Sequence, residues 1–303
     1  MSRIEEAAVD ENVCANCGIA EVDNITLEEC DGCDLVRYCS DKCREEHREE
    51  HEEECNRRAK ELHDRKLFTQ PNGTHEGECP ICFLPMPIDT RKSRFYYCCS
   101  QIVCNGCVSA HIKSNIHDLE KAGRCPFCRE PVVDDDENDK RMMKRVKAND
   151  PFALSYMGAN CYNEGDYDAA FVYLTKAAEL DNSQAHYILG CMYYEGKGVE
   201  KNMKKEVYHL EKAAIGGHPT ARHNLAATEG RNGRIERAVK HFIIAAKLGY
   251  EESMKMLWGE YSCRNITKED LEATLRTHQA AIEATKSSAR EEADAFLLRK
   301  NRS

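Results

Sequence analysis

The stretch from Cys79 to Cys128 contains most of the chemistry that decides this fold. It reads Cys79-Pro-Ile-Cys82, then Cys98-Cys99, then Cys104-Asn-Gly-Cys107, and it closes with Cys125-Pro-Phe-Cys128. In three of the four pairs two residues separate the cysteines, a spacing that lets two thiolates bind one tetrahedral zinc ion. Four pairs of ligands therefore predict two zinc sites.

Metal binding is the expected source of stability for this stretch. A segment of ~50 residues with few large apolar side chains cannot fold on buried area alone, whereas structural zinc contributes ~10–16 kcal/mol in small peptides. The alternative, a disulfide framework, requires an oxidising compartment. The segment from Met1 to Val13 is acidic and has no apolar run, so we expect no secretory signal and favour zinc.

The whole stretch resembles a RING finger, the cross-braced module of many ubiquitin ligases. The resemblance implies that the first and third pairs share one zinc ion and that the second and fourth pairs share the other. The second pair departs from the commonest pattern, because Gln101 occupies the usual histidine position. We prefer an all-cysteine site that includes both Cys98 and Cys99; otherwise Cys99 would pair with His111.

Sites with four protein ligands leave no position for water, so these zinc ions are expected to be structural. RING ligases instead hold a ubiquitin-conjugating enzyme that carries ubiquitin as a thioester. By the resemblance, Ile81 and Pro126 occupy positions that contact the conjugating enzyme. Arg129 lies where a basic residue bridges that enzyme and ubiquitin, a role that suits a planar guanidinium. His111 stands where the family often has Trp or Leu.

A second set of cysteines precedes this stretch, and its order resembles a MYND finger. The resemblance implies one zinc ion on Cys14, Cys17, Cys39 and Cys43, and another on Cys30, Cys33, His51 and Cys55. His47 is the rival of His51, but only His51 has three residues between it and Cys55. MYND fingers generally bind short peptides. Here Arg44 and Arg48 replace the expected Gln and Trp, which leaves peptide binding and a purely structural role open.

The chain from Asp150 onward is repetitive. Tyr156-Met157-Gly158, Ile188-Leu189-Gly190, Asn224-Leu225-Ala226 and Met256-Leu257-Trp258 recur at intervals of 32, 36 and 32 residues. Self-similarity with this period predicts a solenoid of helix-turn-helix repeats. With Gly190 and Lys212-Ala-Ala, the loop Glu195-Gly-Lys-Gly-Val199 resembles Sel-one-like repeats over residues 150–258. That resemblance implies a concave surface that binds proteins.

The C-terminal region is predicted to be helical as well. Thr267-Lys-Glu-Asp270 has the pattern of a capping box. The stripe that follows it consists of Leu271, Leu275, His278 and Ile282. Because the last repeat of a solenoid must hide its apolar edge, we expect this helix to cap the array.

These segments predict a mainly α protein with two small zinc-stabilised modules, MYND-like and then RING-like, followed by an α-solenoid. The predicted boundaries are a disordered stretch at 1–12, the MYND-like finger with a charged helix at 13–68, a linker at 69–78, the RING-like finger at 79–132, an acidic linker and short helix at 133–149, the repeats at 150–265, and capping helices and tail at 266–303. We expect four zinc ions, two in each finger.

The amino-acid composition argues against some classes of function. The chain has 53 carboxylates against 43 Lys and Arg, which argues against nucleic-acid binding. No apolar run is long enough to span a bilayer, and a cytosolic or nuclear location is expected. The leading hypothesis is a RING-type ubiquitin ligase that recruits a conjugating enzyme and selects protein partners through the repeats and the first finger. The alternative is a non-catalytic, zinc-binding interaction scaffold. Nothing resembles a conventional catalytic pocket.

Overall fold

The computed structural model describes residues 13–21 and 25–300, and of these the side chains of Leu298 and Lys300 are left aside. The predicted disorder of residues 1–12 lies outside the described residues. The chain divides into two compact units, Met1–Thr69 and Gln70–Ser303. Each unit is described by itself below.

The first unit is a small finger followed by a long helix. Strands β1 (Glu28–Glu29) and β2 (Arg37–Tyr38) form an antiparallel pair, and helices α1 (Asp41–Glu46) and α2 (Arg48–Leu67) follow. The sequence predicts one charged helix from Asp41 to about Phe68, but the structure interrupts it at His47. Ser40 caps α1 by accepting a hydrogen bond from the Cys43 amide.

The second unit begins with a second finger. Strands β3 (Ser93–Tyr96) and β4 (Gln101–Cys104) form an antiparallel hairpin after a 3-10 turn at Thr90–Lys92. Helices α3 (Asn105–Ser114) and α4 (Leu119–Ala122) follow. Only a few apolar side chains are buried between the cysteines, among them Met86, Tyr96 and Val103. This small core agrees with a finger that depends on metal for its stability.

Helix α5 (Asp135–Lys147) lies in the segment predicted to be an acidic linker and short helix, residues 133–149. The sequence predicts that the run Asp134-Asp135-Asp136-Glu137 is a hinge ahead of a helix at about Lys140–Ala148. In the structure Asp134 is the N-cap and accepts a hydrogen bond from the Glu137 amide at 3.0 Å, and three acidic residues form the first helical turn. Carboxylates are stabilised at a helix N-terminus by the helix dipole, so this run starts the helix.

Seven further helices form the repeat array. They are α6 (Pro151–Glu164), α7 (Tyr167–Glu179), α8 (Ser183–Glu195), α9 (Met203–Ile215), α10 (Pro219–Arg231), α11 (Ile235–Lys247) and α12 (Glu251–Ser262). Consecutive helices pack in pairs around small residues. A methyl group on Gly158 would lie 2.6 Å from Leu174 Cγ, so glycine is what lets α6 and α7 approach this closely. The predicted mainly helical fold with zinc modules is confirmed.

Two helices complete the chain. Helix α13 (Lys268–Ala284) begins at Thr267, whose hydroxyl accepts a hydrogen bond from the Asp270 amide at 3.1 Å. It packs on α11 and α12, with Leu271 and His278 buried. Helix α14 (Ser288–Lys300) packs against α3 of the second finger. Within the described part of the chain, no helix is both long enough and apolar enough to cross a membrane.

The second finger also contacts the repeats directly. The Phe95 ring stacks on Tyr156 of α6 with centroids 4.7 Å apart, and Arg145 of α5 donates hydrogen bonds to the carbonyls of Tyr97 and Cys98. The predicted linker, residues 69–78, also contacts the repeats, because the amide of His75 donates a hydrogen bond to the Gly217 carbonyl at 3.1 Å. The finger and the array therefore form one body.

Candidate metal centres

Sixteen cysteine and histidine residues form four clusters of four. In each cluster the ligand atoms lie within 4.8 Å of one another. The clusters consist of Cys14, Cys17, Cys39 and Cys43; of Cys30, Cys33, His51 and Cys55; of Cys79, Cys82, Cys104 and Cys107; and of Cys98, Cys99, Cys125 and Cys128. They are called sites 1 to 4 below. These are the groupings that the two resemblances imply.

The spacing within the clusters fits tetrahedral zinc. Four sulfurs at ~2.3 Å from a zinc ion lie ~3.8 Å apart. The Sγ atoms of Cys79 and Cys107 are 3.9 Å apart, and those of Cys30 and Cys55 are 3.6 Å apart. A disulfide would place the sulfurs ~2.05 Å apart. All eighteen cysteines are free, so the disulfide alternative is wrong.

Site 2 resolves the choice between two histidines. His51 lies on α2 with its Nε2 3.2 Å from Cys33 Sγ, and one helical turn later Cys55 completes the cluster. His47 lies between the two helices, and its Nδ1 is 3.0 Å from the Tyr38 hydroxyl. Its ring stacks on His51 with centroids 5.6 Å apart. The structure thus places His47 beside the cluster and His51 inside it.

Site 4 resolves the choice left open for the second finger. The adjacent cysteines both take part: Cys99 Sγ lies 3.8 Å from Cys125 Sγ, and Cys98 Sγ lies 3.3 Å from Cys128 Sγ. His111 lies on α3 outside the cluster, with its Nε2 3.0 Å from the Lys121 carbonyl oxygen. The structure therefore assembles the preferred all-cysteine set, and sites 3 and 4 interleave along the chain.

The electrostatics of the clusters favour a bound cation. In site 3 burial opposes ionisation, but hydrogen bonds from the backbone of Cys104, Cys82 and Ile81 lower the pKa of Cys79 to about 7. Burial and the neighbouring thiols raise the pKa of Cys107. Backbone amides thus stabilise one thiolate, whereas like charges oppose the next ones. A divalent metal ion removes this conflict because it neutralises thiolates that the protein holds together.

The four clusters accordingly indicate four zinc ions, as predicted from the cysteine spacing. Each ion would receive four protein ligands, three sites with four sulfurs and one with three sulfurs and a nitrogen. Such closed sites hold structure and do not activate water. Their chemical contribution is to fix the finger loops in place.

The predicted conjugating-enzyme contacts lie on the loops of sites 3 and 4. Ile81 and Pro126 are half-buried, and Arg129 is exposed with a left-handed backbone, φ 64°. Sequence reasoning missed two exposed aromatic residues on the same loops, Phe83 (71% exposed) and Phe127 (45% exposed). The signal was available in the sequence, since both are large apolar residues directly next to predicted zinc ligands.

Of the two fingers and the repeat array, the first finger and the repeats match known protein families. Residues 14–55 match the MYND finger family, and residues 151–182, 183–218 and 221–250 match the Sel1 repeat. The chain carries a MYND zinc finger and Sel1 repeats. The Sel1 repeats coincide with the helix pairs α6/α7, α8/α9 and α10/α11.

Similar proteins match parts of the chain. A Helicobacter pylori protein named "Putative beta-lactamase HcpC" is 45% identical over 56 residues, which is 18% of this chain and 19% of that protein. The chain thus spans about a fifth of the length of that curated relative. A Sel1 repeat protein from Oxalobacter formigenes is 21% identical with a TM-score of 0.43, covering 57% of this chain and 72% of the other. A protective antigen of uropathogenic Escherichia coli with an SLR fold is 20% identical with a TM-score of 0.39, covering 55% and 37%.

Proposed function

We propose that this protein is a zinc-stabilised interaction scaffold that binds partner proteins through its Sel1 repeats. The metal clusters are closed sites with four ligands each, so they favour a structural role over catalysis. A MYND finger and Sel1 repeats both imply protein partners. The observation that carries the proposal is a preformed polar and aromatic cleft between α8 and α10.

This cleft is arranged around Tyr194 and Arg231. The Arg231 guanidinium lies over the Tyr194 ring, 5.1 Å from its centroid, and Nη1 donates to the Tyr194 hydroxyl at 3.1 Å. Nη2 donates to Thr228 Oγ1 at 2.9 Å and lies 3.7 Å from a carboxylate oxygen of the buried Glu206. These contacts fix the guanidinium before any partner arrives, which reduces the entropy cost of binding.

The same two side chains remain accessible. Tyr194 is 51% exposed and the side chain of Arg231 is 54% exposed. Beside them lies a cavity of about 170 Å³, lined in part by Cys191 and Asn224. Tyrosine and arginine are enriched at the energetic centres of protein interfaces. The cleft thus offers an aromatic ring, a fixed cation and a recess to a peptide or loop of a partner.

The test is site-specific photo-crosslinking followed by quantitative mass spectrometry. A benzophenone amino acid at Ala227, which lines the cleft, is expected to capture a defined set of proteins. Tyr194→Ala combined with Arg231→Ala is expected to reduce that capture at least tenfold. Val172→Ala on α7, where Val172 is 52% exposed, is the matched surface control and should leave capture unchanged. Equal capture by the cleft variant and the control would reject the proposal.

A RING-type ubiquitin ligase is the second candidate function. What favours it is the exposure of Phe83 and Phe127 on the loops that also carry Ile81 and Pro126, because an apolar surface of this kind suits a protein partner. The repeats and the MYND finger would then select substrates, and substrate lysines would be modified because they are held near the thioester.

Autoubiquitination with a panel of conjugating enzymes separates the two functions. A ligase is expected to form ubiquitin chains that Ile81→Ala and Arg129→Ala abolish, while Phe296→Ala, an exposed position on α14, retains them. No chains from the fully zinc-loaded protein across the panel would leave the scaffold without ligase activity. The crosslinking result does not depend on this outcome.

A further inference from the structure

Arg290 is a buried cation at a metal site to which it is distant in sequence. It belongs to α14, and only 6% of the residue is exposed. Its Nη2 lies 3.4 Å from the Sγ of Cys82, a member of site 3, and 3.3 Å from the Leu84 carbonyl oxygen. Its Nη1 donates to the carbonyls of Pro85 and Thr285, each at 2.7 Å. The guanidinium thus bridges the loop of site 3 and the C-terminal end of α13.

The backbone of the finger is shaped to admit this side chain. Gly106, in the first turn of α3, follows the ligand Cys104 by two residues. A methyl group on Gly106 would lie 2.7 Å from Arg290 Cγ and 2.8 Å from its backbone nitrogen. Any larger residue would push α14 away from the finger, so the close approach of Arg290 to site 3 requires glycine here.

Two ion pairs hold α14 in register on the finger. Lys92 Nζ lies 2.7 Å from Asp294, and Lys113 pairs with Glu292. Between them in the sequence, Ala293 is buried. Because these contacts fix the helix on both sides of the buried alanine, the position of Arg290 is determined by the whole helix and not by its own flexible side chain.

Among the described residues, no Asp or Glu oxygen is found within ion-pair distance of the Arg290 guanidinium, and the opposite charges that act on it are those of Cys104 and Cys82. A buried cation is costly unless an opposite charge compensates it. Four thiolates and one Zn²⁺ have a net charge of −2, and Cys82 contributes one of these thiolates. The metal site is therefore the anion that compensates Arg290.

We propose that Arg290 stabilises the zinc–thiolate cluster of Cys79, Cys82, Cys104 and Cys107, and that α14 is thereby a component of this metal site. Side chains that hydrogen-bond to metal ligands tune metal affinity by ~10–100-fold. Site 4 provides the contrast, because Arg145 reaches it only through the carbonyls of Tyr97 and Cys98 and is itself paired with Asp150.

Zinc-release kinetics of the full-length protein test the proposal. With a chromogenic chelator at constant pH, Arg290→Gln is expected to release one of its four zinc ions ~10-fold faster than wild type while the other three are unchanged. Arg276→Gln is the matched control, because it makes the same substitution at an exposed position of α13, and it should release zinc as wild type does. Unchanged release of all four ions from folded Arg290→Gln, or equal acceleration in Arg276→Gln, would overturn the proposal.

Two further measurements guard against misfolded variants. Arg290→Lys keeps the charge and loses the planar fork, so its release rate should fall between those of wild type and Arg290→Gln; a rate equal to that of the Gln variant would reject a role for the charge. In the ¹¹³Cd-substituted protein, Arg290→Lys should shift the resonance that Cys107→Ser abolishes and leave the other three in place. Four unmoved resonances would also reject the proposal.

Discussion

The ring of Phe95 in the second finger lies flat on the ring of Tyr156 in the first repeat, with centroids 4.7 Å apart and an interplanar angle of 13°. The Tyr156 hydroxyl also lies 2.9 Å from that of Tyr97. This pair joins a metal-stabilised module, whose own apolar core is small, to a helical array with an extensive core. The two parts are thereby expected to unfold together.

A double-mutant cycle measures the interaction between the Phe95 and Tyr156 rings. Phe95→Leu and Tyr156→Leu should each lower the free energy of unfolding, and their coupling energy should be ~0.5–1.5 kcal/mol, as for other aromatic pairs. Urea unfolding of the zinc-loaded protein gives the four free energies. Combining Phe95→Leu with Phe171→Leu, in the core between α7 and α8, is the control and should be additive. A coupling near zero for the first pair would show that the finger is docked by other contacts.

Zinc stoichiometry should distinguish Cys99 from His111. Cys99 lies in site 4, so Cys99→Ser is expected to reduce the bound metal from four ions to three. His111 only contacts the Lys121 carbonyl, so His111→Ala should retain all four ions. Native mass spectrometry counts the ions in each variant. Four ions in Cys99→Ser together with three in His111→Ala would mean that the histidine, and not Cys99, completes the site.

Two glycine-to-alanine substitutions in helices should have opposite effects. At Gly158 the new methyl group would lie 2.6 Å from Leu174 Cγ and 3.2 Å from the Leu174 backbone nitrogen. Overpacking of this kind typically costs ~1–3 kcal/mol, which exceeds the ~1 kcal/mol that alanine contributes in a helix. Gly259 on α12 has nothing within 4 Å of that position, so Gly259→Ala should stabilise.

Thermal or urea unfolding of both glycine variants measures the difference in their free energies of unfolding. A stabilised Gly158→Ala would imply that α6 and α7 can move apart without loss of stability. Glycine would then not be required at this position for the two helices to pack.

His218 should make the second unit less stable in acid. Burial, together with the nearby His75, lowers its pKa well below the ordinary value. Its Nδ1 accepts the Ala221 amide and caps α10, and its Nε2 donates to Gln184, so the neutral ring is the one that fits. Below pH ~6.5 the unfolded chain binds a proton that the folded state excludes, and stability falls by ~1.4 kcal/mol per pH unit for this residue.

The measurement is the urea unfolding free energy between pH 7.5 and pH 5. Full stability is expected above pH ~6.5, with a decline below it. His218→Asn keeps a capping side chain and cannot titrate, so it should show a shallower decline whatever its absolute stability. Identical slopes for the two proteins would mean that His218 is protonated in the folded state as readily as in the unfolded one.

Local spacing explains why so much of this fold could be predicted. A zinc knuckle or a capping box is encoded within a few residues, and the repeats recur with a period visible in the chain. His51 could be chosen over His47 because only one of them lies a helical turn before Cys55. These are short-range rules, and the structure follows them.

The long-range contacts had no such signal. Nothing in the sequence near Arg290 indicates a metal site, because its role depends on a glycine and a cysteine about two hundred positions earlier. The segment around His75 has the composition of a linker, yet its backbone hydrogen-bonds to Gly217 and the His75 ring stacks on His218, the N-cap of α10. The acidic run Asp134–Glu137 has the composition of a hinge. In the structure it forms the N-cap and first turn of α5. In each case a tertiary contact or a capping geometry decided the outcome.

The contact between α14 and the second finger has a consequence for how the protein is made. Arg290 follows Cys82 by 208 residues. At ~5–20 residues per second, synthesis leaves an interval of ~10–40 s between the two. During that interval the finger leaves the ribosome without the helix that covers Gly106, and any zinc it binds is held without Arg290. The newly made finger therefore passes through a period in which one of its metal ions is more easily lost than in the finished protein, and this period ends only when the last helix has been translated.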